Sequence, residues 1–171
     1  MARLSGEICD GLRLHPIATF RYTREVIAPA IAQGLAKSGR TMDSFDLVGA
    51  PFMALGRNEE EVEKAKHKLR NQISFYASTR SYHGVLAHHG WEDVGAKLHR
   101  LSVAGKWQDM PALITDEMLE EWAVIATYDG LADAIRAKAD GLYRTITLVL
   151  VDEARRDPDR VRVAVERLHQ D

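Results

Sequence analysis

Apolar residues follow two patterns along this chain. Short, nearly continuous apolar runs occur at three places, and between them apolar residues return every three or four positions. The first run is bracketed by Leu12, Leu14 and Ile17 and ends at His15–Pro16, with Asp10–Gly11 as the turn before it. The second is Phe45–Leu55 (FDLVGAPFMAL) and the third Tyr143–Val151 (YRTITLVLV). Runs of this kind mark strands covered on both faces, as in parallel sheets.

Helical spacing fills the intervals. Ile17–Ala28 carries Phe20, Val26 and Ile27, Pro29 breaks or kinks it, and a second piece runs Ala30–Lys37 before the cap at Gly39. Asn58 caps the next helix, with Glu61 three positions on, and Val62, Ala65, Leu69, Ile73 and Tyr76 form its apolar stripe. Short helices are predicted at Tyr82–His88 and Trp91–Val103, separated by Gly90. Thr115 caps a helix with Met118, Leu119, Trp122 and Ile125 on one side, and Gly130–Ala139 follows. The last helix takes Asp157 as cap and Pro158 in its first turn, with Val161, Ala164, Val165 and Leu168 on its apolar face.

Strand and helix alternate from the outset, so the order reads as the closing portion of a parallel β/α barrel. A complete barrel needs about 250 residues, and this chain has 171. The expected fold is therefore α/β: a helix-rich partial (β/α) barrel of about three parallel strands, one domain over 1–171, with a helical insertion at about 58–125. The formal net charge of −2 gives no broad basic field for nucleic acid. No apolar run reaches about 18 residues, which argues against a membrane span. MARLSGEICDG lacks an apolar signal core and reads as either an internal start or the start of a truncated gene. Cys9 is the only cysteine, so no intrachain disulfide forms, which fits a reducing cytoplasm.

Candidate chemistry gathers at strand ends. His15 lies at the outgoing end of the first strand, where barrel enzymes place binding and catalytic groups. Its imidazole suits an acid, a base or a hydrogen-bond donor near neutral pH; alternatively it bonds a nearby carbonyl and shapes the His–Pro loop. Thr19, Tyr22 and Arg24 lie just downstream. Arg24 suits an anionic tail, or else a solvated helix face. His83, His88, His89 and His99 invite a metal reading, but zinc needs three or four converging ligands. His83 and His88 sit about 500° apart at ~100° per residue, and Gly84 and Gly90 deny them a rigid platform, so no metal is expected. Tyr76, Arg80, Tyr82, Trp91 and Trp107 suit either stacking over a planar ligand or packing between helices. Cys9 falls at the stability end of the first strand. No dinucleotide fingerprint, phosphate loop, GxSxG or HExxH is present.

Four segments together resemble the C-terminal portion of the luciferase-like flavin- or deazaflavin-dependent oxidoreductases: GEICDGLRLHP, EVIAPAIAQGLAKSGR, ISFYASTRSYHGVLAHHGW and ITDEMLEEWAVIATYDGLADAIRAKADGLYRTITLVL. The third is similar to a segment of one actinobacterial subgroup assigned to the deazaflavin coenzyme F-420. Where the family usually has Gly-Thr-Pro, this chain has Ala126–Thr127–Tyr128. The resemblance spans about Leu4 to Val151. It implies a luciferase-like TIM barrel and oxidoreductase or monooxygenase chemistry on a small-molecule substrate, with a reduced deazaflavin (coenzyme F-420) or FMN as cofactor. His15 would be the catalytic polar group, Thr19 and Arg24 would meet the cofactor, and Phe52 and Met53 would form apolar walls. The family's opening strands would then come from a second copy or a partner chain. Two other readings stay open: a non-catalytic truncated paralogue serving oligomerisation or interaction, and a plain α-rich fold without cofactor.

Three parallel strands leave an open sheet edge, which favours association. The expected outcome in light scattering is a homo-oligomer; a monomeric mass counts against a covered edge.

Overall fold

The computed structural model describes residues 1–148 and 158–169. Its elements, in chain order, begin with α1 (Ala2–Ile8), β1 (Gly11–Arg13) and α2 (Phe20–Tyr22). A π-helical turn over Thr23–Ile27 then leads into α3 (Ala28–Ala36). Next come β2 (Asp46–Gly49), β3 (Phe52–Gly56), α4 (Glu59–Ala77), α5 (His83–His88) and α6 (Glu92–Val103). The chain continues through α7 (Asp116–Trp122), β4 (Ala123–Thr127), α8 (Leu131–Ala139), β5 (Thr145–Ile146) and α9 (Pro158–Leu168). All strand pairs are parallel: β1–β2–β5 form one sheet and β3–β4 another. The expected class, a helix-rich α/β fold with parallel strands, holds.

The strands are five among the described residues, where the apolar runs predicted about three. The run Phe45–Leu55 divides at Ala50–Pro51. Proline has no N–H for the ladder and holds the residue before it away from helical geometry, so β2 and β3 pair with different partners. The other added strand, β4, lies inside the predicted helix: the spacing of Met118, Trp122 and Ile125 suits a helix, but α7 ends at Trp122 and Ala123 is extended (φ −122°, ψ 151°). The β-branched residues Val124, Ile125 and Thr127 favour the extended chain. Lys138 fixes the junction, its ammonium donating to the carbonyls of Glu120 (2.6 Å) and Ala123 (2.8 Å) and to the Glu120 carboxylate. Of the predicted third strand, Thr145–Ile146 is extended; residues 149–151 and the Asp157 cap lie outside the described residues.

β3 is buried along its whole length and feeds two cores. Phe52 and Ala54 face Leu69, Ile73, Leu98, Met118 and Trp122. Met53 and Leu55 face Val124, Leu131, Ile135, Val161 and Ala164. The period-2 alternation of a strand produces this division directly. A third cluster, Ile31, Leu35, Phe45 and Leu47, lies where α3 covers β2.

The predicted caps at Asn58, Thr115 and Gly39 are in place. Asn58 Oδ1 accepts the Glu61 N–H at 3.0 Å, and Thr115 Oγ1 accepts the Met118 N–H at 3.2 Å. Gly39 and Gly90 take positive φ (68° and 75°) and close their helices as left-handed caps. The predicted break at Pro29 is instead a continuous helix. The Ala28 N–H reaches back five residues to the Thr23 carbonyl, and this wider turn makes room for the proline ring, which would otherwise meet the carbonyl four residues before it.

α1 crosses α3 backbone to backbone. A Cβ on Gly6 would lie 2.3 Å from the Ile31 carbonyl oxygen, and one on Gly34 would lie 2.0 Å from that of Arg3. Gly34→Ala is therefore expected to destabilise the fold by about 1–3 kcal/mol through overpacking, despite alanine's better helix propensity. Urea unfolding checks this; an unchanged midpoint would show that the two backbones do not touch.

Candidate functional site

β1 delivers His15 from its outgoing end, two residues past Arg13. The loop that follows is fixed by local hydrogen bonds. The Ile17 N–H donates to His15 Nδ1 at 3.2 Å, so the ring accepts from a backbone N–H where the sequence alternative had it bonding a carbonyl. The Ile17 carbonyl accepts from the Trp122 indole N–H at 2.7 Å in a buried bond between α7 and the loop. His15 is exposed to solvent, yet two rings border it. Tyr82 stacks on its face (centroids 5.2 Å, interplanar 18°) and Tyr76 meets it edge-on (4.7 Å, 76°). Partial burial against these rings lowers the His15 pKa from its ordinary value.

Thr19 is fully buried. Its Oγ1 accepts the Tyr22 N–H at 2.9 Å, capping α2, and lies 2.8 Å from His89 Nε2. His89 stacks on Trp91 (4.2 Å, 11°), and Trp91 packs on Trp122 (5.3 Å). Burial, then the charges of Arg21 and His88, push the His89 pKa down to about 4, so the ring is neutral near pH 7. Beside it, His88 Nε2 meets Glu25 at 2.7 Å, and this bond, with Arg21, holds the Glu25 carboxyl below its usual range.

Phe52 lies behind Tyr76, with centroids 6.1 Å apart. His15, Tyr76, Tyr82 and Phe52 are thus contiguous, and Thr19 shares the loop while its hydroxyl turns to His89. Met53 sits on the opposite face of β3, in the other core. Arg24 is on the exposed face of the π-helical turn and donates to the Lys138 carbonyl at 3.2 Å. None of His15, Thr19, Arg24, Phe52 and Met53 borders the depression of about 770 Å³ between α4 and the turns that follow α6, which is lined by Arg70, Asn71, Trp107 and Gln108 among others.

The aromatic group seen in the sequence separates in space. Tyr76 and Tyr82 go to His15, Trp91 goes to His89, and Trp107 pairs with Phe75 (6.0 Å). The four histidines divide likewise: His83 meets His99 edge-on at 6.2 Å, His99 Nδ1 bonds the Ser78 carbonyl, and His88 and His89 face α2 and the turn after it. No group of three His, Cys, Asp or Glu among the described residues is placed to hold a metal ion. No helix among them is long and apolar enough to cross a membrane. Sequence reasoning did not pair Thr19 with His89 or His15 with the two tyrosines. The available signal was the run Tyr82–Trp91, which carries aromatic and imidazole rings together just after a helix end.

A family model described as luciferase-like monooxygenase matches residues 1–145. The chain is 42% identical over 142 residues to the uncharacterized protein Rv1360 of Mycobacterium tuberculosis, covering 83% of this chain and 42% of that one. It is 28% identical over 140 residues to a 5,10-methylenetetrahydromethanopterin reductase of Archaeoglobus fulgidus, covering 79% of this chain and 40% of the reductase. Its fold is similar to the solved coenzyme F420 dependent tetrahydromethanopterin reductase from Methanopyrus kandleri, with a TM-score of 0.69 at 19% identity, over 87% of this chain and 42% of that one. The chain thus spans about two fifths of the length of the relatives it matches.

The depressed pKa of His89 sets a direction for pH dependence. The unfolded chain binds a proton near pH 6.5, whereas the folded one does so only near 4. The contribution of His89 is complete above about pH 6.5 and declines as the pH falls towards 4. Urea midpoints measured across that interval should fall with falling pH, and His89→Gln should flatten the slope. An unchanged slope in the variant would show that His89 is not the group responsible.

Proposed function

We propose a function from one premise: the chain belongs to the luciferase-like monooxygenase family. On this reading it is an oxidoreductase piece of the luciferase-like class that works on a small-molecule substrate with a reduced deazaflavin, FMN being the other candidate. The observation that carries it is the His15 imidazole, exposed at the outgoing end of β1 with aromatic rings on its face and edge. The deazaflavin choice draws on the coenzyme F420 dependence named for the M. kandleri reductase.

The residues present suit such a group chemically. His15 offers a polar edge beside the Tyr82 face, which fits a planar ring bearing carbonyls. Arg24 has one backbone acceptor and lies on the surface, so its guanidinium can take an anionic tail. Thr19 keeps the loop in place through its bonds to Tyr22 and His89. Phe52 supports Tyr76 from the core, and Met53 anchors the other face of the same strand. A bound deazaflavin supplies hydride transfer; the chain orients it and excludes water.

In this reading a second copy or a partner chain completes the barrel. Among the described residues β1 and β5 each pair on one side only, as do β3 and β4, which supports association. The single cysteine supports a cytoplasmic setting. A non-catalytic interaction module is the second reading, favoured by exposed Leu4 and Ile8 on α1, with Met1 just before it.

Fluorescence titration of the chain with the deazaflavin and with FMN separates the two. Saturable binding of one is expected, with affinity reduced about tenfold in His15→Ala by loss of one hydrogen bond. Absence of binding to both overturns the oxidoreductase reading and leaves the interaction module.

A further inference from the structure

We infer that His15 serves as a hydrogen-bond donor through Nε2–H and not as a proton-abstracting base, with Tyr82 and Tyr76 as its positioning residues. The ligand atom it takes is an acceptor, a carbonyl or enolate-type oxygen of a planar ligand. The ligand part of this inference rests on the function proposed above; the state of the ring does not.

Three contacts carry it. The Ile17 N–H donates to His15 Nδ1, which occupies the lone pair a base would need at that nitrogen. A neutral imidazole accepting at Nδ1 carries its proton at Nε2. The other tautomer would set an N–H against an N–H and lose the bond. The imidazolium has the same conflict, because it bears a proton on both nitrogens. Tyr82 on the face and Tyr76 on the edge then restrict both side-chain torsions of His15.

The two tyrosines reach His15 from different elements. Tyr76 is in the last turn of α4, and Tyr82 ends the single 3₁₀ turn Arg80–Tyr82 that precedes α5. The orientation of the imidazole therefore depends on how the α4–α5 connection docks on the loop after β1. Tyr82 is half-buried with no hydrogen bond among those that fix the loop, so its ring face is what it contributes, and phenylalanine should replace it.

The test has two arms. In the first, ¹⁵N NMR of the labelled chain without ligand at neutral pH reads the His15 tautomer. The expected result is a pyrrole-type Nε2 and a pyridine-type Nδ1, kept in Tyr82→Phe and averaged between tautomers in Tyr82→Leu while circular dichroism remains that of the parent. A pyridine-type Nε2 in the parent overturns the donor assignment, and an unaltered tautomer in Tyr82→Leu overturns the positioning role. The second arm compares His15→Gln, which keeps an N–H donor but cannot serve as a base, with His15→Ala in the titrations with deazaflavin and FMN. His15→Gln should bind within about threefold of the parent and His15→Ala about tenfold more weakly. Equal losses in both overturn the donor role. If the parent binds neither cofactor, the function proposed above fails, and the first arm still decides the state of the ring.

Discussion

One buried hydrogen bond joins the larger core to the loop that carries the candidate site. The Trp122 indole donates to the Ile17 carbonyl across 105 positions of sequence. Trp122 stands where α7 gives way to β4, at the centre of the larger core, and it is 1% exposed. Ile17 is the residue whose own N–H holds His15. A single residue thus has its carbonyl committed to the core and its N–H to the candidate site. A carbonyl left unpaired at that depth would cost about 1–3 kcal/mol, so the loop after β1 has little freedom to move apart from α7. Trp91, packed on Trp122, extends the same constraint to His89 and through it to Thr19.

Much of the fold was legible because it rests on local chemistry. The caps at Asn58 and Thr115 and the left-handed glycines at 39 and 90 follow from residues within four positions of one another, and the structure has them. The divided strand and β4 were harder. An apolar run cannot tell one strand from two, although Pro51 marked the place, and Met118–Ile125 satisfies helical spacing by coincidence until the β-branched residues are weighed. The location of His15 could be read from the strand end and the following proline. Its surroundings could not: Tyr76 and Tyr82 arrive from more than sixty residues away, and His89 reaches Thr19 across 70 positions. The same holds in reverse for Arg24 and Met53, expected on a helical and an extended segment and found so, while packing sent their side chains to α8 and to the second core.

Membership of the luciferase-like family fits how the strands are buried. β3 has cores on both faces, as a strand of a helix-covered parallel sheet must. The chain accomplishes this with about two fifths of its relatives' length, because α4 to α7 supply one core and α8 with α9 supply the other. The candidate site occupies the margin of the first core, where aromatic side chains continue from the interior out to solvent through Phe52, Tyr76 and His15.

The π-helical turn between α2 and α3 works as a phase shifter. An extra residue in one turn rotates everything after it by ~100° relative to a regular helix. Phe20, before the turn, faces the core built on Val124 and Leu131; Ile31 and Leu35, after it, face Phe45 and Leu47. A uniform helix would carry one apolar meridian and could serve one of these cores. With the offset, a single rod addresses both, and Gly34 comes round to meet α1. The length of this segment is therefore counted to the residue, much as a coupling between two shafts is keyed: a one-residue deletion here would leave the helix intact and turn half of it to the wrong partner.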